Sequence, residues 1–144
     1  MDLALAQAAA AAARGEVPVG AVLVDGEGRV VAEAGNRTRE LSDPTAHAEV
    51  LVIREACARL VSERLNGFDL YVTLEPCGMC AAAISFARIR RLYYGASDPK
   101  GGGVAHGARV FAQSTCHHTP EVYDGLGAEE AGELLREFFA ARRG

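Results

Sequence analysis

The chain has 144 residues, 49% of them hydrophobic and 24% charged, with a formal net charge of −4. That length and balance are ordinary for a globular protein and fit one domain, residues 1–144, around one core. No apolar run reaches the roughly 18 residues that a membrane-crossing helix needs, so no membrane partner is expected, and the acidic total alone argues against nucleic acid. Leu3 to Ala13 is rich in alanine. Asp2 is acidic where an export signal carries positive charge, and Gln7 interrupts the run, so the segment reads as a helix capped by Asp2 and closed at Gly15. Val19 to Val24 is a short β-branched run, a buried strand, and Gly26-Glu27-Gly28 turns the chain into a second strand, Val30 to Ala34. Ala46 to Leu60 carries Val50, Ile53, Ala56, Cys57 and Leu60 at helical spacing. Leu70 to Thr73 is a third strand. A helix then runs from Pro76 to about Ala87, with proline at a start where its missing N–H does no harm. Leu92 to Tyr94 is a fourth strand, Asp98 to Gly107 a glycine-rich loop, and a fifth strand falls between Ala108 and Tyr123. Ala128 to Arg143 closes the chain as an amphipathic helix with Leu134, Leu135, Phe138 and Phe139 on its apolar stripe. Strands alternating with helices predict a layered α/β domain, antiparallel in its first pair and parallel where helices intervene.

The charge is unevenly spread. Between Pro76 and His118 the only acid is Asp98, against Arg88, Arg90, Arg91, Lys100 and Arg109, so this stretch is net +4 and the remainder −8. A polyanion could meet one face of an acidic protein; a solvated surface with scattered arginines is the plainer reading. Four cysteines could frame disulfides, but the Cys77/Cys80 spacing suits a metal and nothing signals export, which places the chain in a reducing cytoplasm.

The chemistry concentrates in His47-Ala48-Glu49 and, further on, Pro76-Cys77-Gly78-Met79-Cys80. His47, Cys77 and Cys80 form a three-ligand zinc set, and the open fourth position of such a set marks a catalytic rather than a structural metal. Glu49 is then the proton shuttle for the activated water. Residues two apart on a helix diverge, so His47 and Glu49 converge only near the helix end. Cys77 and Cys80, three apart, share one face of a first turn. Two helix N-termini should therefore point at one metal, where their dipoles favour thiolates. A lone Cys-x-x-Cys could be half of a structural site or a redox pair; its combination with His-x-Glu resembles the signature of the zinc nucleobase deaminases. Cys57 reads as core, and Cys116-His117-His118 as a surface or substrate contact rather than a second metal cluster.

The likeness extends beyond the motif. Glu16 to Val24, Gly35-Asn36-Arg37, Asp43 to Glu49, Leu70 to Cys77, Ser85 to Arg91, Tyr94 to Lys100 and the Phe138-Phe139 pair resemble the bacterial tRNA-specific adenosine deaminase family over nearly the whole chain. The resemblance implies a three-layer α/β/α sandwich around a five-stranded mixed sheet, a homodimer, one Zn²⁺ per subunit, and conversion of the wobble adenosine of a tRNA anticodon stem-loop to inosine. It further implies that Asn36 hydrogen-bonds the base, that Val17 and Leu74 wall the pocket, and that the Ala48 amide and Glu49 read the base edge. Asp98 and Lys100 would contact the anticodon-loop backbone, with Phe139 near a flanking base. An unpaired loop suits this chemistry, because the base must leave its stack to react. A deaminase of a free base or nucleoside, such as guanine or cytosine, is the alternative; a non-catalytic zinc-stabilised RNA-binding subunit is a third reading, disfavoured by the presence of Glu49. The chain departs from its relatives at Gly78, where a bulkier residue is usual, and Gly101-Gly102-Gly103 is expected to leave the substrate loop mobile.

Overall fold

The computed structural model describes residues 1–143. Its elements are α1 (Asp2–Ala13), β1 (Gly20–Val24), β2 (Val30–Gly35), α2 (Ala48–Leu60), β3 (Asp69–Leu74), α3 (Gly78–Phe86), β4 (Arg91–Ala96), a single 3₁₀ turn (Val110–Ala112), β5 (Glu121–Tyr123) and α4 (Ala128–Arg143). The five strands form one mixed sheet in the order β2-β1-β3-β4-β5. β1 is antiparallel to both β2 and β3, while β3, β4 and β5 run parallel. α1 and α4 pack together on one face and α2 and α3 on the other, giving the expected α/β/α layers.

The alanines of α1 have a packing reason. Ala4, Ala8 and Ala11 are fully buried, at the i, i+4, i+7 spacing that makes one helix face. Beneath them lie Gly20 and Gly35, where an added Cβ would strike the backbone of Ala4 and Ala8 in the first case and of Gln7 in the second. Small residues on both sides let helix and sheet approach closely. A methyl added at Gly20 overpacks this contact, at a typical cost of about 1–3 kcal/mol. Asp2 does not cap α1 as expected; it is the first helical residue and Met1 holds the cap position. Gly15 does close the helix, at φ +86°, with the Glu16 amide returning to the Ala11 carbonyl at 2.9 Å.

The larger core lies between the sheet and α2/α3. Leu23, Leu70, Ile84, Ile89 and Leu92 are wholly buried there, each contributing about 1.5–3 kcal/mol by removal from water. The α2 stripe differs from the sequence expectation. Ala48, Glu49, Val52 and Ala56 face inward, whereas Leu60 is 46% exposed. The helix is turned so that Glu49, not Val50, lies on the buried side. Positions 49, 52 and 56 then share one face. Cys57 packs against this core, as expected.

Candidate active site

The strand order brings one edge of the sheet to a focus. The C-terminal ends of β2, β3 and β4 and the N-terminal end of β1 lie side by side, as the pairings Gly20↔Gly35, Ala21↔Val72 and Leu74↔Ala96 show. Val17 and Val19 precede β1, Asn36 follows β2, Pro76-Cys77 follows β3, and Asp98 follows β4. The helices that leave this edge begin there as well. His47 is the N-cap of α2 and Cys77 the N-cap of α3, both with extended backbone, so the two helix starts converge as the motif spacing requires. An Asp43 turn fixes the approach to α2: its carboxylate accepts the Thr45 amide at 2.8 Å and hydroxyl at 2.7 Å.

His47 Nδ1 lies 3.7 Å from Cys77 Sγ and 3.4 Å from Cys80 Sγ. Tetrahedral zinc with ordinary Zn–S and Zn–N bonds would set those N···S edges at about 3.6 Å. The three ligand atoms fall within 4.8 Å of one another, the one such trio among the described residues. The donor set therefore fits zinc in both chemistry and dimensions. Without metal, the cluster keeps a proton among its donors. A hydrogen bond from Cys80, then one from His47, pull the Cys77 thiol down to about 4, while donating to that thiolate pushes Cys80 well above the thiol range. Bonding to Cys77 raises His47. Metal binding displaces these protons.

Glu49 sits in the first turn of α2, 4% exposed, and burial pushes its carboxyl up to about 7. That value suits a group that must both take and return a proton near neutrality. A cavity of about 300 Å³ opens in front of it. Val17, Asn36 and Leu74 line this cavity together with His47, Glu49, Cys77 and Asp98. Val19, Thr38, Glu75 and Gly101 complete the wall. A second cavity, of about 310 Å³, lies on the outer face of α3 near Phe86 and Cys116 and holds none of the metal ligands.

The remaining candidates sit elsewhere. Cys80 is buried behind the cavity wall. The Ala48 amide is already bonded to Asn36 Oδ1 at 2.8 Å, so Asn36 faces the cavity with an NH₂ group that has no partner among the described residues. Lys100 is exposed on the following loop, and Phe139, 43% exposed, lies on α4 in edge-on contact with the buried Phe138. Neither lines the cavity. Cys116-His117-His118 forms no metal cluster. Cys116 bonds the His118 carbonyl at 3.2 Å and the His118 ring bonds the Ile89 carbonyl at 2.6 Å, so the segment ties β5 to the end of α3.

Two expectations are corrected. The glycine-rich loop is held, not loose. Gly102 and Gly103 are buried, and an added Cβ would strike the Glu75 carboxylate in the first case and the Cys77-Gly78 backbone in the second. The basic stretch is also not one surface. Arg90 is bidentate to Asp69 at 3.0 and 2.9 Å, and Arg91 meets Glu121 at 3.0 Å, at the sheet edge opposite the cavity. Glu75, in turn, was not singled out by the sequence. It is buried and collects the amides of Asp98, Val104, Ala105 and His106. Burial raises its carboxyl, but the Asp98, His106 and Val104 donors outweigh that and lower it overall. A glutamate ending an apolar strand ahead of a loop rich in free amides is the signal that could have found it.

The pattern of the cytidine and deoxycytidylate deaminase zinc-binding region matches residues 1–96. The tRNA-specific adenosine deaminase of Agrobacterium fabrum is 66% identical over 99% of this chain and 93% of its own. A solved structure from a study of A-to-I editing by tRNA:A34 deaminases superposes with a TM-score of 0.92 at 67% identity, covering 94% of this chain and 97% of that one. A guanine deaminase from Bacillus subtilis follows at a TM-score of 0.67 and 31% identity, covering 99% and 91%. The chain therefore belongs to the cytidine and deoxycytidylate deaminase family and, within it, to the tRNA-specific adenosine deaminases.

Proposed function

We propose that residues 1–144 form one deaminase domain that hydrolyses the wobble adenosine of a tRNA anticodon loop to inosine, with one zinc ion per chain. The observation that carries this reading is the buried Glu49 beside the His47–Cys77–Cys80 trio in a cavity of about 300 Å³, room for one extruded base. Zinc held by those three residues would supply a water whose pKa is lowered towards neutrality. Glu49 takes a proton from that water and passes it to N1 of the purine as the oxygen adds to C6. It then takes the proton of the new C6 hydroxyl and delivers it to the exocyclic amine. The C6–N bond breaks, ammonia leaves, and the C6 carbonyl remains. The Asn36 NH₂ donates to an acceptor on the base, and Val17 and Leu74 press on its faces. The Ala48 amide acts through Asn36 in this arrangement, by fixing its orientation. Asp98 and Lys100 contact the sugar and phosphates at the cavity mouth, and Phe139 stacks near a flanking base.

A run of arginines on the Val17–Thr38 side favours an RNA substrate. Among the described residues Arg14 and Arg37 share one acidic partner, Glu40, at 3.8 and 3.6 Å, while Arg39 and Arg142 both donate to the Gly15 carbonyl, at 3.3 and 3.2 Å. Arg39 and Arg142 have no acidic partner among the described residues, which leaves charge for phosphates. The enzyme acts in the cytoplasm, in keeping with four free cysteines and, among the described residues, no helix long and apolar enough to cross a membrane. It works as a homodimer. Phe86, 77% exposed on α3 beside the part-exposed Met79, supplies the apolar surface for pairing. Phe86→Asp should turn a dimer into a monomer by light scattering.

The deciding experiment offers the zinc-loaded protein an anticodon stem-loop with adenosine at position 34, and separately free guanine and cytosine. Inosine in the stem-loop is the expected product; activity on a free base alone would overturn the RNA reading.

A further inference from the structure

The Glu75 side chain has no exposed surface, and it is not one of the three metal-ligand residues. Its Oε2 receives three consecutive amides, from Val104 at 3.2 Å, Ala105 at 3.0 Å and His106 at 3.2 Å. Its Oε1 receives the Asp98 amide at 3.0 Å and the His106 ring Nδ1 at 2.8 Å. Successive amides turned to one point make an anion-binding nest, and here the chain fills the nest with its own carboxylate. The loop is fastened a second time, by the Gly103 amide on the Pro76 carbonyl at 2.8 Å, one residue before the metal ligand Cys77.

The loop held in this way presents Asp98 to the cavity. One oxygen of Asp98 is used internally, accepting the Lys100 amide at 3.2 Å and the Gly101 amide at 2.9 Å. Its other oxygen makes no hydrogen bond among the described residues. The arrangement orients a carboxylate and leaves one acceptor free at the mouth of the site. We infer that Glu75 is a positioning residue for substrate: by holding the 98–106 loop on the metal-ligand turn, it fixes the free Asp98 oxygen where the sugar of an RNA substrate arrives. This rests on the RNA reading above. The role needs a carboxylate, because glutamine has one acceptor oxygen and would turn an NH₂ group either on three amides or on the Asp98 amide and the His106 ring.

The test compares wild type, Glu75→Gln, Asp98→Asn and the double variant, as full-length zinc-loaded proteins, on the position-34 stem-loop. For Glu75→Gln we expect unchanged zinc content, a kcat within a few-fold of wild type and a KM raised about tenfold, the scale of loss that misplaced substrate contacts bring. In the double variant the KM effects should fall well short of multiplying, because Glu75 acts through Asp98. His106→Ala removes one donor and spares the amides, so its KM should rise by about two- to threefold even if Glu75→Gln folds poorly. Multiplicative KM effects would overturn the inference, and so would lower thermal stability with an unchanged KM in both Glu75→Gln and His106→Ala. If wild type itself leaves the stem-loop untouched, it is the RNA reading that fails, whatever the variants do.

Discussion

The two edges of the sheet treat charge in opposite ways. At the edge where β3 and β4 begin, Arg90 and Arg91 are answered by Asp69 and Glu121, and Tyr71, Tyr93 and Tyr123 stack in register at 4.5 and 5.1 Å. At the edge where the same strands end, three carboxylates (Glu49, Glu75 and Asp98), the His47 imidazole and the Cys77 thiol line one cavity, with no lysine or arginine in its wall. A six-residue strand separates the edges by about 17 Å. Screening in physiological salt takes hold over roughly 8 Å, so the arginines of the first edge exert little pull on a ligand at the second. One edge has its charges balanced by the chain; the other is left unbalanced and fits a metal and a substrate.

Substitutions at the two edges should therefore behave differently. The largest effect is expected for Cys80→Ala. It should lose zinc by elemental analysis, melt at lower temperature and form no inosine, since the trio cannot close with two ligands. Asn36→Ala comes next. It removes a donor to the base and frees the Ala48 amide, and kcat/KM on the stem-loop should fall by about 5- to 150-fold, the span expected for buried hydrogen bonds of about 1–3 kcal/mol. Lys100→Ala should raise KM a few-fold and flatten the dependence of log KM on log salt by about 0.7, one phosphate contact on a single strand. The smallest effect belongs to the other edge. Arg91→Gln should leave KM and its salt dependence within about twofold of wild type, because an exposed ion pair contributes little and the cavity is far away. A salt slope that moves with Arg91 and not with Lys100 would reverse the comparison.

The metal trio was legible in the sequence because each half is a short pattern, His47-Ala48-Glu49 and Cys77-Gly78-Met79-Cys80. The 30 residues from His47 to Cys77 were bridged by the deaminase signature that the two halves make together, not by local geometry. The layered α/β order was legible because helical stretches alternate with four short β-branched or aromatic runs set between turn residues; the five-stranded mixed sheet was implied by the family resemblance, and β5 was only bracketed between Ala108 and Tyr123. What failed to show was pairing across distance. Arg90 and Arg91 counted as free charge because Asp69 and Glu121 lie outside the 76–118 stretch. The glycine-rich loop counted as mobile because its anchor, Glu75, comes 23 residues before Asp98. The buried side of α2 was misread because its face is set by Glu49, a charged residue that helical spacing of apolar side chains counts as exposed.

The central claim, that Glu49 moves the protons while the trio holds zinc without it, has a direct test. Zinc content and inosine formation on the anticodon stem-loop are measured together for wild type and Glu49→Ala. The account predicts equal zinc in the two proteins and a kcat lower by at least about 100-fold in the variant. A variant that keeps its zinc and deaminates at a near wild-type rate would contradict it.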